Sequence, residues 1–340
     1  TPEAEMRSIL PTAIAPGENG GILSASWYPI EGPDDRSGRF ELRTTYSSPD
    51  ALREWAKPLP RGLTDEEVED VLWDKRGMPG DERVLGGIDS VFEPSDSVFA
   101  RSNQGLLGVA VDTSGAFPVI ATVARPREST DAVVSLDFCA DAECATSTQT
   151  TIPVTWGYGG SNSTSIDVAL APDGRTAVVS LADGESRDDF VPLRVITATA
   201  DGESTIETPD SEMSGDPGDF DYSYGTQVEI GADGLPVVLY RAPGYSTLRL
   251  FSCADLSCAD DSMVDIDPPT DAVLSSPSLA IDDTGRPLIG VIDETASVAL
   301  SLDADDHPLL AVGVQRVGST KKATWSGTVL ECAAPRCGAP

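Results

Sequence analysis

Internal repetition constrains this chain more than any other feature. Residues 108–123, 167–181, 227–240 and 278–291 each read as an apolar run, a tight Asp/Gly turn and a second apolar run. Weaker copies occupy residues 298–312 and 12–27. Asp and Gly supply the turn dihedrals, and the flanking Val, Ile and Leu suit paired strands, so each copy reads as a β-hairpin. The turn glycines Gly115, Gly174, Gly234 and Gly285 are 59, 60 and 51 residues apart. Further strand-like runs follow most copies, such as residues 132–138 and 247–252.

Four strands in every repeat of about 40 to 60 residues is the spacing of propeller blades. Tandem immunoglobulin-like sandwiches need about 100 residues each and are excluded on length. Runs such as Val119-Ile120 and Val237-Val238-Leu239 do not alternate, as expected of strands covered on both faces. The chain is therefore expected to be all-β: a six- or seven-bladed β-propeller with one short inserted helix, residues 1–340 forming a single domain. The turns at Gly285 and Asp306 lie only 21 residues apart, which predicts a truncated blade or a shifted register there. Residues 60–103 read as a divergent blade or an insertion. A helix is predicted over 63–77, opened by the capping box Thr64-Asp65-Glu66-Glu67 and a Leu63/Val68 staple, and stopped at Gly77.

The turns Val168-Ala-Leu-Ala-Pro-Asp-Gly174 and Ala110-Val-Asp-Thr-Ser-Gly115 resemble those of secreted bacterial β-propellers with NHL-like and TolB-like repeats. The resemblance covers residues 105–340 and, more loosely, 10–60. It implies a fold rather than an activity, because this superfold hosts lectins, lyases, hydrolases and scaffolds alike. It also implies that sites lie on the face carrying the strand two-to-three loops and the loops between blades. No Thr-Trp follows the turns, so the sialidase Asp-box is not matched.

Six cysteines form three C-x4-C pairs: Cys139/Cys144, Cys253/Cys258 and Cys332/Cys337. Zinc ribbons favour C-x2-C pairs used together, whereas these pairs lie far apart, each beside a strand-like run. Three local disulfides fit better. Each closes so short a loop that it contributes about 2 kcal/mol and staples a hairpin rather than joining domains. Disulfides and the Thr1-Pro2 start, without a basic-then-apolar leader, lead us to expect a mature secreted protein. Arg outnumbers Lys 19 to 4, the signature of a GC-rich, bacterial genome.

Charge excludes further classes. With 56 acidic and 23 basic side chains the formal net charge is −33, so nucleic acid is not an expected partner. No apolar run is long enough to predict a membrane span. The acid concentrates in first-hairpin turns: Asp112, Asp173, Asp233, Asp282 with Asp283, and Asp303, Asp305 and Asp306. Turn chemistry explains it, because Asp bonds its own backbone. The strand two-to-three loops hold Arg36, Arg39, Arg125, Arg127, Arg187, Arg241, Arg316, Lys321 and Lys322, nine of the 23 basic residues. They mark a less acidic mouth that would attract an anionic ligand.

Two between-blade loops carry aromatics beside small polar groups: Trp156 and Tyr158 in residues 156–164, and Asp219, Asp221 and Tyr222 in residues 219–224. With Arg241 and Tyr245 they form the expected ligand-binding set, since rings stack on sugar faces while Asp, Asn and Ser take hydroxyls. Calcium on Asp219, Asp221 and loop carbonyls is the one cofactor the pattern admits. The single histidine, His307, sits in a first-hairpin turn, so Ser-His-Asp and Cys-His chemistry is not expected. The leading expectation is a secreted, lectin-like module that recognises a glycan or cell-surface ligand. A polysaccharide lyase or glycosidase on the same face is the alternative. The third is a scaffold that meets a protein partner through the 63–77 helix or the edge of the disc.

Overall fold

The computed structural model describes residues 12–17, 20–29, 37–55, 80–91, 107–124, 131–155, 165–182, 193–209, 225–241, 247–266, 277–292, 297–302, 308–313 and 327–331. The third cysteine pair, Cys332 and Cys337, and the 63–77 helix lie outside these residues.

The described chain is almost wholly antiparallel β-structure. β1 (Thr12–Pro16), β2 (Ile22–Pro29), β3 (Ser37–Ser47) and β4 (Asp81–Val91) form the first four-stranded sheet. The second is β5 (Leu107–Asp112), β6 (Val119–Ala124), β7 (Ala132–Cys139) and β8 (Ser147–Val154). The third is β9 (Ser165–Leu170), β10 (Thr176–Ala182), β11 (Leu193–Thr199) and β12 (Ser204–Glu207). The fourth is β13 (Thr226–Ile230), β14 (Pro236–Arg241), β15 (Leu248–Cys253) and β16 (Asp261–Ile266). In all four, each strand pairs with its sequence neighbour, although residues 48–80 separate β3 from β4.

The last region departs from this plan. β17 (Ser278–Ile281) and β18 (Pro287–Ile292) form the expected hairpin, and β19 (Ser297–Leu302) and β20 (Pro308–Gly313) form another. β18 then takes β21 (Gly327–Glu331) as its next strand, Ile289 opposite Leu330. The close spacing of the Gly285 and Asp306 turns therefore marks a hairpin set between the second and third strands of one sheet.

The hairpin turns repeat in detail. Gly174, Gly234 and Gly285 have φ of 66°, 79° and 80°, and each donates its N–H three residues back, to Ala171, Gly231 and Asp282. An L side chain at that φ would be strained, so glycine is required. Gly115 does not share this conformation; its longer turn is held by Asp112, which accepts from the Ser114 N–H at 2.8 Å. Asp173, Asp233 and Asp282 likewise accept backbone N–H groups within their own turns. Turn chemistry thus explains these acids. The one described helix, α1 (Pro49–Trp55), was not expected; Ser48 caps it through the Ala51 N–H, and Pro49 begins it.

Packing occurs between sheets. One cluster joins the first and second sheets through Trp27, Phe40, Leu42, Val109 and Ile120. Another joins the second to the third through Leu136, Ile152, Val168 and Val179. A third joins the third to the fourth through Val178, Val195, Val238, Tyr240 and Phe251, and a fourth joins the fourth to the fifth through Leu239, Leu250, Leu279 and Ile289. The second strands β6 and β10 are buried at every position, whereas β12 and β16 are largely exposed. First strands neighbour one another in the order β1, β5, β9, β13, β17, β19. Meandering sheets stacked face to face along a row of first strands make a β-propeller-like architecture.

Two of the three expected disulfides are present, Cys139–Cys144 and Cys253–Cys258. The expected third, Cys332–Cys337, is not among them, because both cysteines follow β21 outside the described residues. The two described bridges do more than staple their hairpins. Cys139 and Cys144 pack into the core shared with the first sheet, and Cys253 and Cys258 into the core shared with the third. Hydrogen-bonding partners follow the same pattern: Arg83 on β4 pairs with Glu143 at 2.8 Å, and the Thr197 hydroxyl on β11 donates to the Leu256 carbonyl at 2.7 Å. Each of these cystine loops is therefore also a wedge between its sheet and the preceding one.

Candidate functional site

A first strand is the free edge of its sheet, with backbone groups that need partners. Here the neighbouring sheet supplies them through side chains at one repeated position. Asp167 Oδ2 on β9 accepts the Val228 N–H of β13 at 2.8 Å. Gln227 Oε1 on β13 accepts the Leu279 N–H of β17 at 3.4 Å. Ser278 Oγ on β17 accepts the Leu300 N–H of β19 at 2.9 Å. In the second sheet the corresponding residue is Gly108, where a Cβ would meet Ile166 and Val123 at 2.8 Å. There the bond is remade one turn on, with Asp112 Oδ2 accepting the Leu170 N–H at 2.6 Å. The Trp27 indole donates to the Gly108 carbonyl at 3.2 Å and closes the seam before it.

Carboxylates collect on this row. Asp112, Asp167 and Glu229 stand on β5, β9 and β13, and all three are half-buried. Burial pushes the Asp167 carboxyl up to about 7; N–H donation from Val228 and Val168 opposes the rise, and Asp112 adds to it. Burial pushes Glu229 up to about 8, with the like charges of Asp167 and Asp112 adding to the effect. Among the described residues, no hydrogen bond reaches the Glu229 carboxyl, and no three acidic, His or Cys side chains converge to hold a metal ion. Asp282 shows the opposite outcome. Burial acts to raise it, but the Thr284 hydroxyl and Arg286 together hold it down at about 2.

The end of the row that faces the between-sheet loops is tied together by its stems. Thr155, before residues 156–164, accepts from Arg194 Nη2 at 3.0 Å. Ser165, after that stretch, accepts the Thr226 N–H at 3.0 Å. Gly225, after residues 219–224, accepts the N–H of Arg241 at 3.2 Å, and Arg241 ends β14 immediately before residues 242–246. Arg194 is buried at the start of β11.

Of the expected ligand-binding set, only the half-buried Arg241 is described. Trp156, Tyr158, Asp219, Asp221, Tyr222 and Tyr245 lie outside the described residues, as do His307 and the side chains of the other eight basic loop residues. Sequence reasoning missed Asp167, Glu229 and Arg194. A signal for the first two was present, since each interrupts an apolar run, Ser-Ile-Asp-Val-Ala-Leu and Gln-Val-Glu-Ile. Alignment of the first strands on their cross-sheet bonds puts Glu229 where neighbouring strands carry Ala169 and Ala280. Arg194 offered no such signal, because one arginine opening an apolar strand reads as a solvated terminus.

No family model matches the chain, and no curated protein matches it. Among solved structures it is similar to the α-L-arabinanase of Penicillium chrysogenum, which was solved with arabinobiose. The match has 11% identity and a TM-score of 0.42, over 89% of this chain and 76% of that one. It is also similar to a bifunctional GH43-CE protein of Bacteroides eggerthii, at 9% identity and a TM-score of 0.38. That match spans 90% of this chain but only 34% of the other.

Proposed function

We propose that this chain is a secreted, lectin-like β-propeller, six- or seven-bladed, that presents one glycan- or cell-surface-binding face. The binding set is Trp156, Tyr158, Asp219, Asp221, Tyr222, Arg241 and Tyr245. One observation carries this reading. The stems of the three loops that hold these residues are tied to the strands and to one another: Ser165 to Thr226 across the third-to-fourth seam, Gly225 to Arg241 at the end of the fourth sheet, and Thr155 to the buried Arg194. Loops rising from joined stems on rigid strands can present several rings and polar groups to one ligand. The guanidinium of Arg241 suits an anionic sugar or an acidic cell-surface group. Calcium held by Asp219 and Asp221 would serve the same face.

A glycan array tests the proposal. Binding by the wild-type chain that disappears in Trp156→Ala and Tyr222→Ala supports it. An empty array, together with a protein that co-purifies stably, moves the reading to a scaffold subunit. Turnover of a polysaccharide moves it to a lyase or glycosidase, with Asp167 and Glu229 the first carboxyl groups to replace.

A further inference from the structure

We propose that the seam between the third and fourth sheets is a proton-operated latch: proton uptake by the Asp167–Glu229 pair draws β9 and β13 together, and proton loss loosens them. The geometry behind this is a comparison within the molecule. Three successive seams use the same repeated position to hold the next sheet's backbone N–H, through Asp167, Gln227 and Ser278. The backbone asks only for an acceptor, and Gln and Ser supply one without charge. Of these three, only the third-to-fourth seam uses a carboxyl at that position, and a second carboxyl, Glu229, stands one residue beyond the bonded Val228. The seam before it is also bridged by a carboxyl, Asp112 to the Leu170 N–H, from a position further along β5.

Among the described strands packed against this pair, none places a compensating cation beside it. Of the strands packed against β9, β5 contributes Asp112, β13 contributes Glu229, and β6 and β10 carry no charged residue. Of those packed against β13, β17 carries none and β14 carries only Arg241. Arg241 lies at the loop end, four positions along from Val237, the residue paired with Glu229. Three like charges on adjacent first strands therefore repel one another when all are ionised. Protonation relieves this without breaking the seam, because a carboxylic acid keeps an oxygen that can accept the Val228 N–H. The direction of both displaced carboxyl groups, upward to about 7 for Asp167 and about 8 for Glu229, places the change between mildly acidic and mildly alkaline pH. The seam also carries the Ser165–Thr226 bond, so its looseness would reach the loop stems.

Amide hydrogen exchange tests the latch without any ligand. Protection of the Val228 and Leu279 amides is compared at pH 6 and pH 8.5, each corrected for intrinsic exchange. These amides are the bonded donors of the charged and the neutral seam, and one reports against the other. We expect Val228 protection to fall about tenfold relative to Leu279 on going to pH 8.5, because pH 6 lies about one unit below the raised Asp167 value and each unit is tenfold in the equilibrium. In the double variant Asp167→Asn/Glu229→Gln, which keeps the acceptor and removes the charge, that relative fall should vanish. Equal behaviour of the two amides in the wild-type chain overturns the proposal, even if the double variant does not fold. So does an undiminished relative fall in a folded double variant.

Discussion

The third-to-fourth seam and the fourth-to-fifth seam share one plan and differ in charge. In both, a side chain from the first strand of one sheet accepts an N–H from the next, Asp167 for Val228 and Gln227 for Leu279. Behind both lie apolar clusters, with Val238, Tyr240 and Phe251 on one side of the fourth sheet and Leu239 and Leu250 on the other. What differs is the accepting group: a carboxyl whose charged form burial disfavours at Asp167, and a neutral amide at Gln227. Packing and hydrogen bonding thus suffice to stack these sheets. A carboxyl at Asp167 meets the same need for an acceptor as Gln227 and, on the proposal above, adds sensitivity to pH.

The largest expected effect removes the packing common to the comparison. Phe251 is 1% exposed and its ring lies 5.6 Å from that of Tyr240. Phe251→Ala should destabilise by about 3 to 5 kcal/mol in denaturant unfolding, through lost burial and the cavity left behind. A cost near zero would mean that the fourth sheet is not held by this core.

Removing the Cys253–Cys258 bridge by a double change to Ala comes next. Chain entropy alone assigns it about 2 kcal/mol. Because the cystine loop also meets Thr197, the change should loosen β11 as well as β15 in hydrogen exchange. A response confined to the fourth sheet would show the loop to be a local staple only.

The seam residues themselves should have smaller effects. Asp167→Ala strands the Val228 N–H and should cost on the order of 1 to 2 kcal/mol at pH 6. Asp167→Asn keeps an acceptor and should cost less at pH 6, and less still at pH 8.5. If Asn and Ala behave alike at both values, acceptance of the Val228 N–H is not what Asp167 contributes.

Much of this architecture was legible because it is local. Each first hairpin is written in a stretch of about fifteen residues, by Gly174, Gly234 or Gly285 at the turn and β-branched runs on either side. Burial of β6 and β14 on both faces followed from the lack of alternation in Val119-Ile120 and Val237-Val238-Leu239. The pairing of β18 with β21 was not legible, because it joins residues about forty apart across a complete hairpin, and no local propensity encodes such a partner. The wedging role of the cystine loops was hidden for the same reason, since Glu143 and Leu256 meet other sheets. At the site, the sequence marked loops by their aromatics, while their joined stems, Ser165, Thr226 and Gly225, look like ordinary strand ends. Asp167 and Glu229 were masked by the abundance of acid: among 56 acidic residues, only alignment of the first strands shows one at an alanine position.

The most direct measurement is the stability of the wild-type chain and Glu229→Gln between pH 6 and pH 8.5. Ordinary carboxyl groups titrate near 4 and lysines near 10, so few groups change charge in this window. A carboxyl whose folded pKa is raised binds protons more tightly in the native state. Its stabilising contribution is complete below its unfolded pKa and is lost as pH rises through the folded value. Asp167 at about 7 and Glu229 at about 8 therefore predict falling wild-type stability across the window. Glu229→Gln should fall less steeply and be the more stable chain at pH 8.5, which separates the seam from His307. A flat or rising wild-type profile, or a variant that falls just as steeply, would contradict a proton-sensitive seam between the third and fourth sheets.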